Sequence, residues 1–110
     1  MGALNFWLIF ISNLYIDMKV TKIQAERIGK KLGVDFDIID VETLQAGMNV
    51  ELEHGKVFSL TNITNNNLEL TAKIALAHLH EYPNYYKELE KMEDKLKKYW
   101  KGKRKPNIFL

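Results

Sequence analysis

The sequence contains no cysteine among its 110 residues. Disulfide bonds, thiolate metal sites and cysteine nucleophiles are therefore excluded, and the absence fits a reducing compartment, so we expect a cytoplasmic protein. Glycine-rich phosphate loops, nucleophile-elbow motifs and the Cys/His spacing of zinc fingers are also missing. What stays open is a binding function, a metal site built from His and carboxylates, or metal-free acid–base chemistry.

A run of apolar residues long enough to cross a membrane is missing too. The most apolar segment, residues 3–16, is interrupted by Asn5 and Ser12 and is shorter than the ~20 residues that span a bilayer. It has no basic start and no small-residue cleavage site, so we expect neither a membrane span nor a secretory signal. Because Met18 stands just before the first capped helix, we expect residues 1–17 to be an upstream in-frame extension that is not part of the native domain. The alternatives are an extra strand or helix packed on the body, or a short membrane-surface anchor.

Composition indicates one ordinary globular domain, with 46% apolar and 27% charged residues. Charge is divided unevenly, since residues 1–86 carry seven basic and ten acidic residues while 87–110 carry nine basic and four acidic. We therefore expect a single helical domain at 18–100 and a basic tail at 101–110. A basic end of this kind is usually solvated, although it can also contact a polyanion.

Cap residues predict where the first two helices begin and end. Thr21 and Gln24 form a capping-box pattern, and Gly33 is placed to end that helix in a left-handed conformation. Asp40 is a good N-cap for a second helix over 41–54, with Gly55 at the position of a stop glycine.

Periodicity predicts two further helices, one over 67–81 and one that starts near Pro83. In the third helix, Leu70, Ile74 and Ala77 centre an apolar arc that also includes His78 and Glu81. Glu69, Lys73 and His80 share the solvent-facing arc. The fourth helix repeats apolar side chains at three- and four-residue steps, namely Tyr85, Leu89, Met92, Leu96 and Tyr99. The prediction is an all-α fold, a small bundle of about four helices with an apolar N-terminal extension.

Two His/Glu pairs at i,i+3 spacing are the candidate chemistry. Glu51 and His54 form one pair, and His78 and Glu81 form the other, so each pair lies on one helix face. If the second and third helices pack antiparallel, Glu51 comes opposite Glu81 and His54 opposite His78. These four residues would suit one zinc, manganese or iron ion. The competing interpretation is a structural cluster of buried, hydrogen-bonded side chains, supported by Tyr85 or Tyr86.

The basic end of the chain offers a second candidate site, of a different class. Its cations alternate with Tyr99 and Trp100, a mixture that can contact phosphates and stack on bases. The candidate nucleic-acid ligands are Lys97, Lys98, Lys101, Lys103, Arg104 and Lys105.

Four blocks of the sequence, at 48–55, 61–65, 73–86 and 89–93, together resemble an uncharacterised domain-of-unknown-function family, number 5661. The resemblance runs from about Lys22 to Glu93 and implies an origin in bacteria, phages or large DNA viruses, with no activity, cofactor or partner attached. Its motifs coincide with Glu51, Glu53, His54, Gly55, His78, Glu81, Pro83, Tyr85 and Tyr86.

These observations predict a small accessory or binding domain with a protein partner, whose His/Glu/Tyr cluster is structural or holds a metal ion. The alternatives are a nucleic-acid-binding accessory protein and a metal-dependent hydrolase with Glu51 or Glu81 as the base. Whether the chain is an enzyme stays open on the sequence.

Overall fold

The structure is a computed structural model that describes residues 19–110. The predictions made for residues 1–17 lie outside the described residues. Within the described part there are four α-helices and no strands: α1 (Lys22–Lys31), α2 (Val41–Glu51), α3 (Leu68–Glu81) and α4 (Tyr85–Trp100). The prediction of an all-α fold of about four helices is confirmed.

Local side-chain hydrogen bonds set the helix starts that the sequence predicts. Thr21 Oγ1 accepts from the Gln24 amide at 3.1 Å, and Gln24 Oε1 accepts from the Thr21 amide at 2.9 Å, which completes the capping box. Asp40 Oδ1 accepts from the Thr43 amide at 2.7 Å and begins α2. Asn67 caps α3 in the same way. Each cap satisfies backbone donors that the first helical turn leaves without a partner.

The end of α2 differs from the prediction. The α-helix stops at Glu51, and residues Leu52–His54 continue as one turn of 3-10 helix. Gly55 has φ −101°, so it does not adopt the left-handed conformation expected of a stop glycine. Its role is steric, because a Cβ at Gly55 would collide with the Asn66 side chain, which folds back to accept from the Lys56 amide.

The hydrophobic core lies between α1, α2 and α3. Its buried members are Val20, Ala25, Leu44, Met48, Leu52, Ala72, Ala75 and Leu79. Helix α4 contributes no buried residue and packs against this core through Tyr86 near its first turn. The fourth helix is therefore present as predicted, but it lies beside a three-helix core.

Helix α3 buries a different face from the one that the sequence predicts. The buried residues are Thr71, Ala72, Ala75 and Leu79, whereas Leu70 is 46% exposed and Ala77 is exposed. Leu70 and Ala77 lie about 140° and 160° around the helix from Ala75. Small side chains face the core here because α2 and α3 pack closely, and Thr71 can be buried because its hydroxyl donates to the Asn67 carbonyl.

The face of α3 can be tested with one pair of substitutions. Ala75→Leu should destabilise the domain by about 1–3 kcal/mol, because the added methylenes enter a filled core. Ala77→Leu should change the free energy of unfolding by less than about 0.5 kcal/mol, because its side chain faces solvent. Urea unfolding of both variants measures the difference, and equal effects would contradict the assignment of the buried face.

Candidate functional site

A buried carboxylate stands at the centre of the candidate site. Glu51 is the last residue of α2 and only 3% exposed. Its Oε1 atom accepts a hydrogen bond of 2.8 Å from the Tyr86 hydroxyl of α4. Its Oε2 atom is buried and has no hydrogen-bond partner within the described part of the chain. One oxygen of Glu51 therefore accepts a hydrogen bond from Tyr86, and the other accepts none from the described residues.

The free oxygen faces the 3-10 turn that follows α2. His54 Nε2 lies 3.2 Å from Glu51 Oε2, although the two do not form a hydrogen bond, and 3.6 Å from Glu53 Oε1. The side chains of residues i and i+3 eclipse in a 3-10 helix, which is why Glu51 and His54 meet. Ligand atoms of Glu51, Glu53 and His54 all lie within 4.8 Å of one another.

The other oxygen faces an aromatic group formed by α3 and α4. His78 Nε2 is 3.8 Å from Glu51 Oε1, and the imidazole stacks on the Tyr85 ring with centroids 4.1 Å apart and planes 5° apart. Tyr86 meets both of these rings edge-on. This packing fixes the orientation of the His78 ring beside the carboxylate.

Gly47 makes room for Tyr86 on the surface of α2. It precedes Glu51 by one helical turn, and a Cβ at this position would lie 2.6 Å from Tyr86 Cε2. The ring therefore lies directly against the helix backbone, and the hydroxyl reaches the carboxylate one turn further on. Gly47 is not among the residues predicted for the site. Its position one helical turn before Glu51 is the signal in the sequence that could have identified it.

Burial sets the electrostatics of two of these groups. It raises the pKa of Tyr86 far above its ordinary value, with the hydrogen bond to Glu51 as the next cause, so the phenol stays protonated. Burial also raises the pKa of Glu53, His54 opposes that rise, and repulsion from Glu51 and Glu93 adds to it. Burial is thus the main reason why a negative charge on Glu53 is disfavoured.

Most of the residues predicted for the cluster are brought together. Glu51, His54, His78, Tyr85 and Tyr86 form one connected group. Glu81 is not part of it, because it is exposed and lies about 120° around α3 from Ala75. The antiparallel register assumed from the sequence places Glu81 against Glu51, whereas in the structure His78 occupies that position. Glu53, which was not among the predicted metal ligands, lies beside His54 instead, with its side chain 61% exposed.

The basic residues predicted to contact nucleic acid lie at the far end of α4 and beyond it. Lys97, Lys98, Lys101, Lys103, Arg104 and Lys105 are all exposed. Lys103 Nζ lies 3.6 Å from the centre of the Tyr99 ring, and Tyr99 meets Trp100 edge-on. The Lys103 contact follows a turn at Gly102, whose φ of 74° is left-handed.

None of the helices among residues 19–110 is long and apolar enough to cross a membrane. The fold and the site together define a small helical domain with a His/Glu/Tyr cluster around one buried carboxylate.

Comparison with known families places the chain more closely. Residues 25–95 match the family described as "Protein of unknown function (DUF5661)", and the chain belongs to this family. The resemblance read from the sequence is thereby confirmed. No curated protein and no solved structure matches the chain.

The hydrogen bond between Tyr86 and Glu51 predicts a measurable loss of stability. Tyr86→Phe leaves both oxygens of a buried carboxylate without a hydrogen bond, so it should cost about 1–3 kcal/mol in the metal-free protein. Tyr82→Phe is the matched control, because Tyr82 is exposed and should change the unfolding free energy by less than about 0.5 kcal/mol. Denaturant unfolding at neutral pH compares the two.

The pH dependence of the same variants gives a second readout. Since the folded pKa of Tyr86 is raised, the unfolded chain loses this proton first, near the ordinary value of 10.0. The stabilising effect is therefore complete below pH 10 and is lost as pH rises further. Stability of the wild type should fall more steeply above pH 10 than that of Tyr86→Phe. Parallel curves would show that Tyr86 does not titrate differently in the folded protein.

Proposed function

We propose that this domain binds one divalent transition-metal ion through Glu51, Glu53 and His54. The observation that carries the proposal is the Oε2 atom of Glu51, which is buried and has no hydrogen-bond partner among residues 19–110. A buried acceptor without a partner costs about 1–3 kcal/mol. A cation bound to this oxygen would remove that cost, and metal coordination is one of the few states in which buried carboxylates are stable.

Two of the three separations between the ligand atoms fit a tetrahedral ion. Two ligands that each lie about 2.1 Å from a tetrahedral zinc ion are roughly 3.4 Å apart. The distances from His54 Nε2 to Glu51 Oε2 and to Glu53 Oε1 are 3.2 and 3.6 Å. Nitrogen and carboxylate donors of this kind suit zinc, manganese or iron.

The surroundings of the three ligands also support binding. Tyr86 holds Oε1 of Glu51 and so directs Oε2 toward His54, as outer hydrogen bonds commonly orient metal ligands. The side chains of His54 and Glu53 are 40% and 61% exposed, which leaves an entry path from solvent. A cation here would also relieve the repulsion between Glu51 and Glu53.

The wider role that fits this site is that of a small accessory domain acting on a protein partner. A cytoplasmic location belongs to the same proposal, because the chain has no cysteine for disulfides or thiolate ligands. A metal-dependent hydrolase is the enzymatic form of the proposal. Three protein ligands would leave one position for water, as in catalytic zinc sites, and the base would be a carboxylate beside it.

Calorimetric titration of the chelator-treated chain with Zn²⁺ tests the metal site. One ion should bind per chain, and His54→Ala should weaken binding by at least about tenfold because it removes one of three ligands. His80→Ala is the matched control, since His80 is exposed on α3 and should leave the affinity unchanged. Circular dichroism establishes that each variant is folded.

A second pair of variants identifies the carboxylates. Glu53→Gln should weaken Zn²⁺ binding while Glu81→Gln does not. The opposite result would favour the ligand set predicted from the sequence. Absence of Zn²⁺ and Mn²⁺ binding by the folded wild type would leave Glu51 as a structural group and reject the proposal.

Nucleic-acid binding is a second candidate function, favoured by the exposure of the cations between Lys97 and Lys105 beside the half-exposed ring of Tyr99. If it is correct, replacing Lys101, Lys103 and Arg104 by Gln should weaken binding to a labelled single-stranded oligonucleotide and reduce its salt dependence. Fluorescence anisotropy at several salt concentrations measures both effects. Binding that does not change in the triple variant would reject this candidate.

A further inference from the structure

Helix α4 carries an apolar stripe that the described residues do not cover. Met92, Leu96 and Tyr99 are 51%, 48% and 59% exposed, and no residue of the helix is buried. A cleft of about 720 Å³ separates α4 from α2 on the adjacent side of the helix. After its first turn the helix is therefore held by few tertiary contacts.

A helix in a protein gains most of its stability from packing of its apolar face, and α4 buries none of its 16 residues against the described part of the chain. Its stripe follows the spacing of a two-stranded coiled coil, because Leu89, Met92, Leu96 and Tyr99 alternate steps of three and four residues. Such a stripe packs best against another helix with the same pattern.

The charges along α4 indicate what that other helix is and which way it runs. Residues 85–94 contain four acidic and two basic side chains, whereas 95–100, the rest of the helix, contain three basic and no acidic ones, and four more cations follow at 101–105. Two copies of α4 side by side in parallel would place these basic ends next to each other. In the antiparallel arrangement, the acidic half of each copy lies along the basic half of its partner.

We propose that α4 mediates an antiparallel homodimer through Leu89, Met92, Leu96 and Tyr99. The interface is small compared with the roughly 800 Å² per partner of a standard complex, so the dimer is weak and depends on concentration. The arrangement pairs Leu89 with Tyr99 of the other copy and Met92 with Leu96. It also places the basic end of each copy beside the acidic half of α4 in the other copy. This inference is independent of the metal site.

Sedimentation equilibrium of the full chain over a wide range of concentrations tests the dimer. The wild type should pass from monomer to dimer, and Leu96→Gln should remain monomeric at concentrations where the wild type is dimeric. Lys98→Gln is the matched control, because Lys98 lies on the far side of the helix from the stripe and should still allow dimerisation. A wild type that is monomeric at every concentration, or two variants with the same behaviour, would overturn the proposal.

The orientation can be measured separately, because the chain has no cysteine and a single introduced one can be labelled cleanly. In an antiparallel dimer, spin labels at Lys95→Cys lie close together across the interface, since residue 95 is near the centre of the stripe. Labels at Glu88→Cys, seven residues earlier on the same flank of the stripe, lie far apart, at opposite ends of the dimer. Equal, short distances at both positions would indicate a parallel dimer and reject the antiparallel arrangement. Salt should weaken the antiparallel dimer by screening its charge pairing.

Discussion

Burying a carboxylate costs free energy unless its oxygens find partners, and the groups around Glu51 come from different parts of the chain. Tyr86 of α4 donates to one oxygen, while His78 of α3 lies 3.8 Å from the same atom. His54, from the 3-10 turn after α2, faces the other. The position of α4 depends on this arrangement, because the rest of that helix adds no buried residue to the core.

Helix α4 is attached to the rest of the domain by aromatic residues near its first turn. Gly47 allows the Tyr86 ring to lie on the backbone of α2, and Tyr85 stacks on His78. Both aromatic contacts lie in the first turn of the helix. The residues of the polar cluster are therefore also the residues that hold α4 against the domain. The remaining turns extend beside the body with an amphipathic surface. A group that binds at the cluster would therefore act on the same residues that hold α4 in place.

The cluster has two inequivalent sides, and this asymmetry gives the site its chemical character. On the Oε1 side, a protonated phenol and a stacked imidazole give a rigid hydrogen-bonded environment. On the Oε2 side, an imidazole and a second carboxylate approach at the separations expected of ligands around one tetrahedral ion. The buried oxygen on that side, which has no hydrogen-bond partner in the described part of the chain, is the feature on which the proposed metal site rests.

Much of this could be read from the sequence, because it depends on local interactions. The four helices, the capping box at Thr21, the N-cap at Asp40 and the pairing of Glu51 with His54 all follow from residues three or four positions apart. The tertiary structure decided which face of α3 is buried, and so whether His78 or Glu81 meets Glu51. It also decided that α4 would lie beside the core instead of within it. These outcomes depend on how closely helices approach at small residues such as Gly47 and Ala75, and that distance is set by packing between segments far apart in the chain.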